Sequence, residues 1–373
     1  MIYLDEAATT PLSREVLEAM WPYLSTEYGN PSSHHEVGDA ARRALDQARA
    51  DVAEVLGAKA SEITFTSGGT ESDNAAIKGI ALAAPRGKHI IVSSIEHPAV
   101  LASAEWLGRI GYDVTVLDVD HEGVVAPETL AAALRPDTTL VSIQYANNEV
   151  GSIQPIAELV AIAGDVPFHT DAVQAAGWLD LDVTKLGVQA MSISGHKIGA
   201  PKGIGVLYIQ RRTPFEPLIH GGGQESGRRS GTENVASAVG MSTALRSAGG
   251  SPLSTIAKRD DFIRDVLEKV PGAQLTGHPT QRLPGSASFV FPGTSGEAIL
   301  VELESRGIVC SSGSACAAGS DEPSHVLTAM GYDAEVAQTA VRFTFGRSTK
   351  PADLTTAAAD LVRAVASVTG RGA

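Results

Sequence analysis

Short apolar runs alternate with helix-patterned stretches through much of this chain, and that alternation most constrains its fold. The runs are ITF at 63–65, HIIVSS at 89–94, TLVSIQ at 139–144, VPFHT at 166–170, AMSIS at 190–194 and IGVLYI at 204–209. Nearly continuous apolar character marks strands buried on both faces, as in a mostly parallel sheet. Parallel neighbours need long crossovers, and amphipathic or alanine-rich stretches at 37–56, 98–109, 127–134 and 155–163 provide them as helices. The expected class is therefore α/β, with one doubly wound domain reaching to about residue 240. Beyond a Gly/Ser/Pro stretch at 248–253 the pattern changes: helix 255–269, strand 286–291, helix 295–305, strand 307–310, helix 323–330, strand 341–345 and a tail helix at 352–367. A chain of 373 residues outgrows one core, so a second, smaller domain and a cleft are expected.

The formal charge of −14 opposes a whole-surface attraction to nucleic acid or anionic lipid. The amino end MIYLDEAATTPL lacks the basic and apolar segments of a signal peptide, and no stretch reaches the roughly 18 apolar residues of a membrane span. A cytoplasmic address follows as the expectation. The two cysteines, Cys310 and Cys316, are too few for a disulfide framework or a four-thiolate metal site. The adjacent His34 and His35 point apart, and no metal site is expected.

Three segments carry chemistry. In ITFTSGGTESDN a strand runs into Ser67-Gly68-Gly69-Thr70 and a helix with an acidic first turn. Two glycines let backbone N–H groups approach an anion, although an ordinary Gly turn capped by Thr70 reads equally well from this segment alone. In SISGHKIGAPKGIG a strand ends at Ser194-Gly195-His196-Lys197, where ligands of open α/β sheets collect. Most loop lysines are solvated, yet Lys197 is flanked by a serine, a histidine and small residues suited to a phosphate, which makes it the Schiff-base candidate over Lys202. A pyridoxal site also needs an acid at the ring nitrogen. Asp171 ends a buried strand in VPFHTDAVQ and is that candidate, with helix N-cap as its alternative.

The ordered segments YLDEAATTP, YGNPSSHH, TSGGTESDN, EHPAV, NNEVG, HTDAVQ, SGHKIGAPKGIGVLYI, GGGQESGRRSGTEN, SSGSACAAGSDEPSHVL and VRFTFG resemble the cysteine desulfurases, in the NifS/IscS-like branch. The resemblance implies a pyridoxal 5'-phosphate enzyme of fold type I, a homodimer with a seven-stranded-type sheet in its large domain. It places that domain at 13–247, and the small domain at 1–12 plus 248–373 with a catalytic loop at about 311–325. It implies that Lys197 bonds the cofactor, Asp171 meets the pyridine nitrogen and His97 stacks on the ring. Asn148 and Gln174 approach the phenolic oxygen, and Thr70, Ser194 and His196 hold the phosphate with Gly69 nearby. Thr232 reaches in from the partner subunit, and Arg342 binds the substrate carboxylate, for which a planar two-pronged donor is suited. Without the resemblance, His97 reads as a cap or packed histidine before Pro98.

The cysteines differ in context. Cys310 ends an apolar strand and reads as a small hydrophobe, whereas Cys316 lies among the small residues of SSGSACAAGSDEPS, as a reactive, travelling thiol requires. A disulfide between them is disfavoured in a reducing cytosol. The implied activity takes sulfur from L-cysteine, leaves L-alanine and places a persulfide on Cys316 for a sulfur acceptor protein, an iron–sulfur scaffold or a tRNA thiolase. Selenocysteine lysis, another class V aminotransfer, or a non-enzymatic sulfur-carrier scaffold are the alternatives. Two departures stand out: Glu6 replaces the Asn or aromatic common in relatives, and the carboxyl end is shorter than in members that dock an iron–sulfur scaffold there. The acceptor therefore stays open.

Overall fold

The computed structural model describes residues 1–83, 86–313 and 322–370. Its strands in chain order are β1 (Ile2–Tyr3), β2 (Ile63–Thr66), β3 (His89–Ser93), β4 (Asp113–Leu117), β5 (Thr138–Ser142), β6 (Phe168–Asp171), β7 (Ala190–Ser194), β8 (Gly205–Ile209), β9 (Gln274–Leu275), β10 (Ser286–Val290), β11 (Ile308–Val309) and β12 (Val341–Thr344). Seven of them form one sheet in the order β2-β8-β7-β6-β5-β3-β4. Neighbours from β7 through β4 are parallel, while β8 runs antiparallel to both β7 and β2. The sheet is thus the mostly parallel α/β sheet expected, mixed only at β8.

Six of the seven strands coincide with the apolar runs. The seventh, β4, is the edge strand DVTVL, and only its last residue is buried. An edge strand faces water along its length and need not carry a continuous apolar run. Strands β1 and β9 have two residues each, too few for any periodic signal.

One face of the large sheet buries Val141, Phe168, Met191 and Val206 against Leu45 and Val52 of helix Glu36–Val55, Leu159 of Ile156–Ala163 and Met241 of Val235–Ser247. The other buries Ile90, Val92, Leu140 and Leu207 against Ile77 and Ile80 of helix Gly69–Ala83 and Val100 and Leu107 of Pro98–Arg109. A separate core surrounds the sheet β12-β10-β9, where Phe262 meets Phe343 edge to face at 5.3 Å under helices Leu253–Lys269 and Pro351–Val368.

The amino terminus belongs to both halves. Strand β1 pairs in parallel with β11, and Asp5 bridges to Thr344. The next residues then cross to the large sheet, where Thr10 N donates to His196 O at 2.8 Å and Ser13 N to Gly199 O at 3.0 Å. This crossing lays the backbone of Ala7 and Ala8 over the ends of β6 and β7.

Candidate active site

The carboxyl ends of the central strands open into a cavity of about 360 Å³ whose lining includes Gly69, Thr70, His97, Asn148, Asp171, Gln174, Ser194, His196, Lys197 and Arg342. Ten of the residues singled out from sequence therefore meet in one place. Thr232 does not: it is exposed and lines a different cavity with Ser67, Arg229 and Gly231. Cys316 lies outside the described residues. Lys202 is exposed and does not line the cavity.

Lys197 closes the short helical turn Gly195–Lys197 that follows β7. Its Nζ donates to the carbonyls of Ala7 and, at 2.9 Å, Ala8. Gln174 Nε2 also donates to Ala7 O, at 3.1 Å, so the crossing amino-terminal segment fixes both side chains. His196 Nδ1 lies 3.2 Å from Thr9 Oγ1, and burial, reinforced by the Lys197 charge, pushes its pKa down to about 4. It is a neutral imidazole at neutral pH.

Asp171 is the last residue of β6 and 7% exposed. Burial raises its pKa, and the nearby charges of His97 and Lys197 pull it back. Its Oδ1 accepts the Val173 N–H at 2.9 Å and turns the chain after β6, but no helix starts there, so Asp171 lines the cavity without serving as the helix cap that its sequence also allowed. His97 does both. Its Nδ1 caps helix Pro98–Arg109 by accepting the Ala99 N–H at 3.1 Å, and the ring still lines the cavity. Burial lowers its pKa, with Asp171 opposing.

Helix Gly69–Ala83 points its amino end at the cavity, with Thr70 inside the first turn instead of at the cap. A Cβ on Gly69 would stand 2.8 Å from Val173 Cγ2 and 3.3 Å from Ser194 Cβ, a measure of how closely the helix start approaches the end of β7. Unpaired N–H groups and the helix dipole there suit an anion. Arg342, on β12 and 1% exposed, walls the cavity: Nη2 pairs with Asp5 Oδ1 at 2.7 Å, and Nη1 donates to the carbonyls of Asn148 at 2.8 Å and Gly313 at 3.2 Å. Its buried Nε has no hydrogen-bond partner.

Two cavity residues with polar side chains were not found from sequence. Asp73, on the inner face of helix Gly69–Ala83, is 1% exposed, and Gln144 is 2% exposed. Behind Gln144, Glu96 is fully buried; its Oε1 accepts from Ser93 Oγ at 2.5 Å and Gln144 N at 2.9 Å. The cavity thus joins a helix start suited to an anion, the Lys197 amine, a buried carboxylate and an arginine, with volume for a small heteroaromatic phosphate. Asp73 Oδ1 has no hydrogen-bond partner, and such a buried acid fits a ligand that brings a cationic nitrogen. The residues present fit pyridoxal phosphate.

The family model described as aminotransferase class-V matches residues 2–356. The cysteine desulfurase IscS of Dictyoglomus turgidum is 49% identical over 360 residues, covering 95% of this chain and 91% of that protein. This chain belongs to the class-V aminotransferase family, among its cysteine desulfurases. Members of this family are pyridoxal-phosphate dependent. The solved structures agree: a NifS-like protein superposes with a TM-score of 0.90 at 36% identity, covering 97% of this chain and 98% of its own. A structure described as SspA in complex with cysteine gives 0.84 at 38%, covering 92% of this desulfurase and 99% of its own chain.

Proposed function

We propose that this desulfurase converts L-cysteine to L-alanine and carries the sulfur as a persulfide on Cys316. The observation that carries the reading is the shared cavity of Lys197, Asp171 and Arg342 in a chain whose relatives bear the desulfurase name. Asp171 would hold the pyridine nitrogen, His97 the ring face, Asn148 and Gln174 the phenolic oxygen, and Thr70, Ser194 and His196, beside Gly69, the phosphate. Pyridoxal phosphate, when bound, supplies an electron sink for the pair left on the substrate carbon.

Each remaining task falls to the chain. Arg342 orients the substrate carboxylate. Lys197 Nζ takes the Cα proton and returns it to that carbon in the alanine product, and the carbonyls of Ala7 and Ala8 keep that nitrogen over the cavity. Cys316 Sγ, as thiolate, attacks the substrate sulfur; a new S–S bond forms, the substrate C–S bond breaks, and its electron pair stays on carbon to be protonated as the methyl group of alanine. His97, half-buried and with its pKa lowered by burial, would accept the thiol proton.

The desulfurase would act as a homodimer in the cytoplasm. Trp21, Leu24 and Tyr28 are 64%, 57% and 75% exposed near one end of the chain, an apolar surface that suits a second copy, and Thr232 stands away from its own chain's cavity. No helix among the described residues is long and apolar enough to cross a membrane. The two separate cores support 13–247 as the large domain and 1–12 with 248–373 as the small one. The acceptor would be an iron–sulfur scaffold or a tRNA-thiolating protein.

A Cys316→Ser variant tests the reading. It should bind the cofactor and form no persulfide; sulfide release at the wild-type rate would remove Cys316 from the mechanism.

A further inference from the structure

Asp73 is a buried acid in the cavity wall that the assignments above leave without a task. The Ser192 hydroxyl bonds its carboxyl, but among the described residues its Oδ1 has no hydrogen-bond partner, and the nearest basic nitrogen, His169 Nε2, stands 3.7 Å away. That imidazole cannot neutralise it. Both ring nitrogens of His169 are engaged, Nδ1 with Ser142 Oγ at 2.8 Å and Nε2 with Ser192 Oγ at 2.9 Å, and complete burial pushes its pKa down to about 3.

The other charges near Asp73 are acids or lie farther round the cavity. From β6 it faces Asp171, from the segment after β3 Glu96 and His97, and from the turn after β7 Lys197. On its own helix, Glu71 turns outward to pair with Arg229 at 2.9 Å. Two carboxyl groups buried in one wall cannot both ionise cheaply unless a cation joins them. Burial, with the Asp171 charge next, holds Asp73 well above the usual carboxylate range.

We propose that Asp73 is the second carboxyl of the ring-nitrogen site: with no cation in the cavity it shares one proton with Asp171, and it yields that proton to solvent when a protonated pyridine nitrogen enters. The proposal rests on the cofactor reading above. Asp73 is a positioning residue in this scheme. Its charge, added to that of Asp171, favours the protonated ring nitrogen, and the Ser142–His169–Ser192 chain keeps the wall polar without contributing a positive charge.

The test titrates cofactor-free protein with pyridoxal phosphate at pH 7 by calorimetry in buffers of different ionisation enthalpy, with uptake followed independently by absorbance. Wild type should release about one proton more per site than Asp73→Asn, because the variant has no second carboxyl with which Asp171 can share a proton. Wild-type affinity should rise by up to about tenfold per pH unit between pH 6 and 8, a slope that the variant loses. Asp73→Ser provides a second variant should the asparagine fail to fold, and the wild-type slope requires no variant. Equal proton release by wild type and variant, or wild-type affinity independent of pH, overturns the proposal while leaving the cofactor reading intact. Failure of wild type to bind pyridoxal phosphate overturns both.

Discussion

Arg342 Nη2 stands 2.7 Å from Asp5 Oδ1, which joins β12 to the segment that crosses above Lys197. The guanidinium lines the cavity wall, and among the described residues its Nε has no protein acceptor. Arg342→Lys keeps the charge and loses the fork. The KM for L-cysteine should rise about tenfold or more, the worth of one charged hydrogen bond at ~1.5 kcal/mol. Steady-state kinetics with the cofactor absorbance as control check this; equal loss of cofactor would point to collapse of the wall.

Gly205 lies where β8 passes beneath the turn that leads into helix Gly69–Ala83. A Cβ there would stand 2.6 Å from Gly68 C and 2.7 Å from Thr66 Oγ1, and the first of these is backbone that has nowhere to move. Gly205→Ala should cost about 1–3 kcal/mol in denaturant unfolding and weaken pyridoxal-phosphate binding by displacing the helix start. Unchanged affinity would show that the turn tolerates the shift.

Glu96 gives the cofactor-free protein a pH dependence of definite sign. Complete burial raises its pKa from 4.5 to about 8, so between those values the folded state binds more protons than the unfolded chain. This group's cost is absent below pH 4.5 and accumulates as pH rises to 8, by up to about 1.4 kcal/mol per unit. Glu96→Gln keeps an oxygen for Ser93 and Gln144 and removes the ionisation. The variant should gain on wild type progressively from pH 5 to pH 8 in denaturant melts, and a constant difference would refute the assignment.

Cys310 should be inert. Burial, with Asp5 adding to it, pushes its thiol up to about 12, which leaves almost no thiolate at pH 8. A folded Cys316→Ser chain should consume no iodoacetamide at pH 8, and one equivalent once unfolded. Labelling in the folded state, read by intact mass, would show that the strand around Cys310 opens.

Most of the large sheet was legible because parallel strands buried on both faces leave continuous apolar runs, and Lys197 and Asp171 were legible because each ends such a run. The edge strand β4 and the two-residue strands leave no such trace. The antiparallel direction of β8 was hidden as well, since IGVLYI reads alike in either direction. Asp73 and Glu96 stayed invisible for a different reason. An acid in a helix or at the head of EHPAV is ordinarily solvated, and only the packed structure shows these two at 1% and 0% exposure. Ala7 and Ala8 act through their carbonyls, which no side-chain pattern reports.

The crossing amino-terminal segment also ties the Lys197 site to distant parts of the chain. Ile2 and Asp5 find their strand partners at Ile308 and Thr344, far along the same chain. The central strands can pair without these two contacts, whereas the segment whose carbonyls hold Lys197 is anchored on one side by Thr10 and Ser13 and on the other by this long-range pairing. A chain that lacked β11 and β12 would therefore keep the partners of its large sheet and lose one of the two anchors over its lysine.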